Sequence, residues 1–368
     1  MIQKIAILGL GLIGGSLSLA LRKHRSDLHL TGFDTPAVLD EARRRNVVDV
    51  GLGSPTEAVA DADLVVLATP LGPLMSLLET IAPALKPGAL VTDVGSVKGP
   101  VLARAGEVLP EHCVFIGGHP MAGSEKNGVA HADPFLFENA TYVLCPPEPI
   151  SETDIARDYP DFLAVLGATG ARILVMDAAR HDRIAAAVSH LPQLLSVTLM
   201  NFVGDLHEDD GGVLRLAAGG FRDMTRIASS SFDMWRDILV ANEGPILDML
   251  GGFAAALQKT RNRVFSEDMD AMRQFFADAR ARRDTIPKTT KGFLHPLADV
   301  YVYAEDKPGF LFHLTRVLHE ASVNIKDLEL LKIREGIEGV FRIGFADQPT
   351  AETAMGALGR AGYTTFQM

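Results

Sequence analysis

Cysteine is scarce in this chain of 368 residues: there are two, Cys113 and Cys145. They lie in apolar surroundings at no metal-binding spacing, which predicts small buried hydrophobes in a reducing compartment and no zinc site. Positive charge is also short. Lys and Arg number 35 against 46 Asp and Glu, a formal net charge of -11. That balance argues against a general nucleic-acid binder, because no basic stripe is available for phosphate contacts. Any anionic ligand has to be met by local cations. No long apolar run is free of polar residues: the stretch from Ile184 to Val203 contains Ser189, His190, Pro192, Gln193 and Asn201. It predicts a buried core helix rather than a membrane span. The opening MIQKIAILGLGLIGGSL lacks a charged leader and is broken by glycines that a hydrophobic helix disfavours. It reads as strand, turn and helix, not as a signal peptide, and a cytoplasmic protein is expected. Internal repeats and low-complexity tracts are missing too.

What is present is ample core material, 47% hydrophobic residues with 22% charged. At roughly 100 to 200 residues per domain the length predicts two or three domains. Over residues 1–172 short β-like runs (KIAIL, HLTGF, LVVLA, ALVTDV, CVFIGG, TYVLC, ARILVM) alternate with helical patterns. Such alternation predicts an α/β unit with a mostly parallel sheet and helices on both faces. Over residues 173–285 the periodicity becomes wholly helical, as in ANEGPILDMLGGFAAALQKTRNRVF, and so much apolar helical surface in a short segment calls for a partner, a homodimer. The polar stretch TIPKTTKGFLHP (285–296) reads as a linker, set at 286–297 between the flanking domains. Residues 298–368 follow the order β-α-β-β-α-β, the ferredoxin-like α+β plan.

GLGLIG, with Gly9, Gly11, Leu12, Ile13 and Gly14, comes straight after the strand KIAIL and opens a helix. In that context the glycines let backbone approach a pyrophosphate at the helix N-terminus, a Rossmann-type dinucleotide site. Asp34 ends the second strand, where a carboxylate accepts hydrogen bonds from ribose hydroxyls and repels a 2'-phosphate, so NAD is expected over NADP. The alternative for Asp34 is a helix cap before Pro36. Thr69 and Pro70 close the strand LVVLA, where the nicotinamide half should pass.

His119, in GHPMAGSEKNG, follows the predicted strand CVFIGG and so falls at the carboxyl edge of the sheet, where open α/β sheets bind ligands. A histidine there can take a hydroxyl proton while hydride leaves the same carbon; the other reading is a loop histidine. Ser96, in DVGSVKG with Lys98, ends a neighbouring strand, either to hold that imidazole or substrate, or to cap the next helix. In SHLPQ, His190 and Gln193 share one helix face, with Pro192 expected to distort the helix. Arg222 and Arg226 are four apart with Asp223 between them, a carboxylate clamp or a surface salt-bridge face.

Together GLGLIGGS, DVGSVKG, GGHPMAGSEKNG, SHLP, GGFRDMTRIA and MWRDI, in this order, resemble the prephenate and arogenate dehydrogenase family of tyrosine biosynthesis, over essentially the whole chain. The last 70 or so residues, with DKPGFL and NIKDLE, resemble an ACT domain, a regulatory module that commonly binds amino acids, which implies feedback control by tyrosine; the other reading is a domain that only helps assembly. By this resemblance His119 and Ser96 are catalytic, His119 helping to remove the ring-hydroxyl proton as hydride leaves to NAD. Arg226 anchors a substrate carboxylate. Ser124, Glu125, Asp223, His190 and Gln193 belong to the substrate site, and Trp235 corresponds to a tryptophan offered by the neighbouring subunit or else is a core aromatic. No metal is required. Many prephenate-using members read SHxPH where this chain reads SHLPQ, and Gln193 cannot carry charge. Prephenate is the expected substrate, with arogenate or dual specificity as the alternative. A non-catalytic sensor of NAD and an amino acid is the reading of another class, disfavoured because His119, Ser96 and Arg226 are all retained. A β-hydroxyacid dehydrogenase would want a lysine on a core helix, and residues 178–204 contain none.

Overall fold

A computed structural model describes the chain except for residues 124–125, 148–150, 210, 287–296, 306, 335–337 and 368. The expected linker therefore falls almost wholly outside the described residues, as do Ser124 and Glu125. The chain divides into two compact units, Met1–Gln274 and Phe275–Met368.

The first unit is built on eight strands: β1 (Lys4–Leu8), β2 (His29–Phe33), β3 (Val50–Leu52), β4 (Leu64–Leu67), β5 (Leu90–Asp93), β6 (Val114–Pro120), β7 (Thr141–Cys145) and β8 (Arg172–Val175), in spatial order β3-β2-β1-β4-β5-β6-β7-β8. Pairing is parallel from β3 across to β6. The period-two pleat sends Ile5, Ile7, Leu64 and Val66 into one apolar cluster and Ala6, Leu8, Val65 and Leu67 into the other, so the central strands β1 and β4 are buried on both faces. Strand β3 was not expected: three residues around a glycine carry no legible alternation. Strand β7 pairs antiparallel with β6, His119 lying opposite Val143. That pairing extends β6 through Pro120, so His119 sits in the strand's last turn of pleat instead of following it.

Gly118 shows why two strands can close around this point. A Cβ there would meet the Asp93 carbonyl oxygen at 2.4 Å and the Tyr142 ring at 3.0 Å. Beneath it, the fully buried Lys98 ammonium pairs with Asp93 and donates to the Gly118 carbonyl at 2.6 Å, while the Asp93 carboxylate accepts the N–H groups of Gly118 (3.0 Å) and Gly95 (2.9 Å). One buried ion pair thus clips the ends of β5 and β6 together just before His119.

From Ala178 to Asp284 the chain is helical, apart from short connections. The run Ala178–Glu208 is long and apolar enough by length and composition to span a bilayer, and only 22% of its most apolar stretch is buried. The buried core helix expected there is therefore realised on one side only: Val188 (60% exposed) and Phe202 (62%) face out. Val240, Leu257 and Phe265 on the following helices are exposed as well. Apolar side chains at helical spacing on an open surface are what a second chain would cover. Within the run, residues Ala186–His190 form a π turn immediately before Pro192. Proline has no N–H for the carbonyl four residues back, and the wider turn absorbs the mismatch, the local distortion expected of SHLPQ.

The second unit carries β9 (Ala298–Glu305), β10 (Asp327–Arg334), β11 (Glu338–Phe345) and β12 (Thr365–Phe366) in the antiparallel order β10-β11-β9-β12, with helices Phe310–Glu320 and Gln348–Arg360 packed on one face. Val300, Val302, Ile343 and Phe345 meet Leu314, Leu318, Ala351 and Leu358 in its core. This is the ferredoxin-like arrangement.

Candidate active site

The glycine-rich turn forms one half of the site. Gly9 has φ +100°, and a Cβ on it would meet the Ala68 carbonyl at 2.6 Å; a Cβ on Gly14 would fall 2.0 Å from the Gly9 oxygen. These two positions need glycine, whereas a Cβ on Gly11 would meet nothing within 4 Å, leaving backbone bare to an incoming group. Helix Leu12–His24 starts at Gly11 with no side-chain cap, so the amides around Leu12, Ile13 and Gly14 open its positive end. A cavity of about 410 Å³ beside it is lined by Gly9, Gly11, Asp34, Ala68, Thr69 and Pro70, among others. Asp34 does not cap the helix at Pro36, whose N-cap is Thr35; its carboxylate accepts N–H from Leu10 and from Thr35, each at 2.7 Å. The Thr69 hydroxyl is buried at the cavity without a hydrogen-bond partner among the described residues. Bare amides, a carboxylate at the strand end and an unsatisfied hydroxyl fit a dinucleotide.

The other half is a chain of buried polar side chains running from the sheet into the helices. His119 Nδ1 stands 2.8 Å from His181 Nε2, and His181 Nδ1 stands 2.8 Å from Asp182 Oδ1. The same carboxylate caps helix Gly99–Val108, accepting the Lys98 and Gly99 N–H groups at 2.8 Å each. Helix-end amides and the positive end of the dipole suit a carboxylate there. Burial works to raise the pKa of Asp182, but the hydrogen bonds from His181, Lys98 and Gly99 hold it below the usual carboxylate range. Asn242 donates to the Asp182 carbonyl at 2.9 Å and lies 3.1 Å from His190 Nδ1; the His190 ring meets Trp235 edge-on at 5.8 Å. His190 Nε2, Trp235 Nε1 and Ser196 Oγ are buried with no partner among the described residues.

His119 is half-buried, and burial, then the positive Lys98, then His181 and His190, push its pKa well below 6.5. It stays neutral, able to accept a proton, across the physiological range. His190 is pushed down to about 4, chiefly by burial, with Asp182 opposing. A base that must be unprotonated loses function as pH falls through its pKa. The acid limb of the kcat/KM profile is therefore expected to lie below pH 6.5, and a limb at or above that value would contradict the environment described for His119.

Several expected residues are placed differently from their sequence reading. Ser96 does not cap the following helix, whose N-cap is Lys98; its hydroxyl stands in the connection after β5 with no hydrogen bond among the described residues. Helix Gly219–Thr225 ends before Arg226, which begins a 3-10 turn, so Arg222 and Arg226 do not lie four apart on one α-helix. Asp223 and Arg226 are both exposed. Gln193 is buried and donates to the Ile227 carbonyl at 2.9 Å, bracing the turn that carries Arg226. Trp235 stands against His190 of its own chain. His181, Asp182 and Asn242 were not expected; AARHDR reads as an ordinary polar helix start, and only contacts across 62 and 84 residues reveal it.

Comparison with known proteins agrees with this arrangement. Residues 17–174 match the family model "Prephenate dehydrogenase, nucleotide-binding domain" and residues 177–278 match "Prephenate dehydrogenase, dimerization domain". The chain is 37% identical to the prephenate dehydrogenase of Bacillus subtilis, over 98% of this chain and 97% of that one. It is 34% identical to the cyclohexadienyl dehydrogenase of Zymomonas mobilis, over 76% of this chain and 95% of that one. The crystal structure of prephenate dehydrogenase from A. aeolicus in complex with hydroxyphenyl propionate and NAD+ superposes with a TM-score of 0.71 at 27% identity, covering 78% of this chain and 99% of that one. The chain belongs to the prephenate dehydrogenase family.

Proposed function

We propose that the protein is an NAD-dependent prephenate dehydrogenase, which oxidatively decarboxylates prephenate to 4-hydroxyphenylpyruvate and carbon dioxide on the way to tyrosine. The observation that carries the reading is His119, a neutral imidazole at the carboxyl edge of the sheet, on the same edge as the glycine turn at Gly9. Asp34, Thr69 and the amides from Gly11 to Gly14 hold NAD, which supplies the hydride acceptor when bound. His119 takes the ring-hydroxyl proton as the carbonyl forms. Loss of the ring carboxylate as carbon dioxide makes the product aromatic, so the protein's task is to orient groups and receive one proton. Ser96 stands at the same edge to hydrogen-bond the hydroxyl. Arg226 binds a substrate carboxylate, Asp223 gates its approach, and His190, Gln193, Trp235, Ser124 and Glu125 complete the substrate site.

The nucleotide-binding part runs through β8 to Val175, three residues past the boundary expected at 172, and the helical part follows from there to 285, its exposed apolar side chains pairing in a homodimer. Residues 298–368 form an ACT regulatory module that takes tyrosine. Support comes from a cavity of about 450 Å³ lined by Glu305, Lys307, Phe310 and Tyr363, among others, which offers an anion for an ammonium, a cation for a carboxylate, and aromatic walls. The protein acts in the cytoplasm.

Steady-state assays with prephenate and arogenate, each with NAD and NADP, decide the reading; turnover of neither substrate would sink it. Tyrosine added to the same assay should inhibit. Arg226→Ala is expected to raise KM for prephenate roughly 10- to 100-fold with a small change in kcat, the loss of a charge-assisted hydrogen bond to a carboxylate. A fall in kcat at constant KM would assign Arg226 elsewhere.

A further inference from the structure

His181 is buried, touches His119, and has no part in the function proposed above, on which this inference rests. The hydrogen bonds around it leave little freedom. Asp182 Oδ1 accepts from Lys98 N and contacts His181 Nδ1, while Oδ2 accepts from Gly99 N. An ionised carboxylate only accepts, so the hydrogen of a neutral His181 lies on Nδ1 and its Nε2 is a bare lone pair. That lone pair, 2.8 Å from His119 Nδ1, has to be met by a hydrogen on His119. His119 Nε2 is then left without one.

We propose that His181, locked by Asp182, is the positioning residue that holds His119 in the Nδ1–H tautomer and so keeps Nε2 bare for the substrate hydroxyl proton. In the reaction that proton passes to His119 Nε2, the substrate oxygen becomes the carbonyl, and the imidazolium so formed points its Nδ1–H along the line His181–Asp182 toward a carboxylate. A doubly protonated His181 would reverse this order, leaving His119 with a hydrogen on Nε2 and unable to act as a base. The fold applies the same device with opposite sense at His190. There the Asn242 amide donates to Nδ1, so the ring hydrogen sits on Nε2, which has no partner among the described residues, and makes that histidine a donor.

The test is 15N NMR of the full chain labelled at histidine, without ligands, with His119→Asn to assign the resonances. His119 is expected to show a protonated Nδ1 and a bare Nε2 at neutral pH, and to lose that signature in His181→Leu. A protonated Nε2 in the parent overturns the proposal. This readout needs no turnover, so it stands apart from whether prephenate is the substrate. Kinetically, His181→Leu should lower kcat by about 100-fold with KM little changed. His181→Gln, whose side-chain oxygen can accept the same hydrogen, should recover to within about tenfold of the parent. Equal losses in Leu and Gln variants that melt like the parent would leave His181 no tautomer-setting role and refute the idea.

Discussion

His119→Asn lowers kcat by about 100-fold or more while leaving KM for the substrate nearly unchanged. The side chain is similar in size and keeps hydrogen-bonding capacity, so the pocket is conserved and only the proton acceptor is lost. Because His119 has its pKa pushed down by burial and by Lys98, it is a modest base that is always in the accepting form near neutrality. Its contribution is therefore availability and aim more than basicity, and removal is felt in the chemical step. The measurement is steady-state kinetics with saturating NAD. A variant as active as the parent would remove His119 from the mechanism.

The largest expected effect on stability comes from Lys98→Met. Methionine fills much of the lysine's volume but leaves the Asp93 carboxylate fully buried without its cation, and the Gly118 carbonyl without its donor. Breaking one side of a buried pair costs about 3–5 kcal/mol. For a unit of this size that corresponds to a melting temperature lower by roughly 10 °C. Thermal unfolding followed by circular dichroism reads it directly; a shift below about 2 °C would mean that the pair contributes little beyond its own desolvation. Activity should fall as well, since the same pair clips β5 to β6 one residue before His119.

The sequence made some of this plain and hid the rest for physical reasons. Strand β1, the turn at Gly9 and the helix after it are legible because their determinants are neighbours: an apolar run, glycines at fixed spacing and a strand-to-helix change. The ferredoxin-like unit is legible for the same reason, its alternation and helical period being strong. His119 could be placed at the sheet edge, but not in its hydrogen-bonded surroundings. Its partners His181 and Asp182 come from a segment whose own pattern is that of a solvated helix start. The antiparallel turn of β6 onto β7 depends on Gly118 tolerating contact with Asp93 and Tyr142, a tertiary fact with no local mark. The sidedness of helix Ala178–Glu208 was misjudged because composition reports how apolar a helix is and not whether its own chain covers it.

Asp182 plugs the end of helix Gly99–Val108 from a segment that lies beyond the last strand of the sheet. A chain cut after Met176 would therefore keep every residue lining the cavity beside Gly9 and lose the plug, the histidine behind His119 and the buried ring N–H groups of His190 and Trp235. Such a fragment could still recognise a dinucleotide yet have nothing to aim its base. The enzyme is in this sense a two-piece lock, in which binding is encoded by one stretch of chain and chemistry begins only when the next stretch is seated in a helix end.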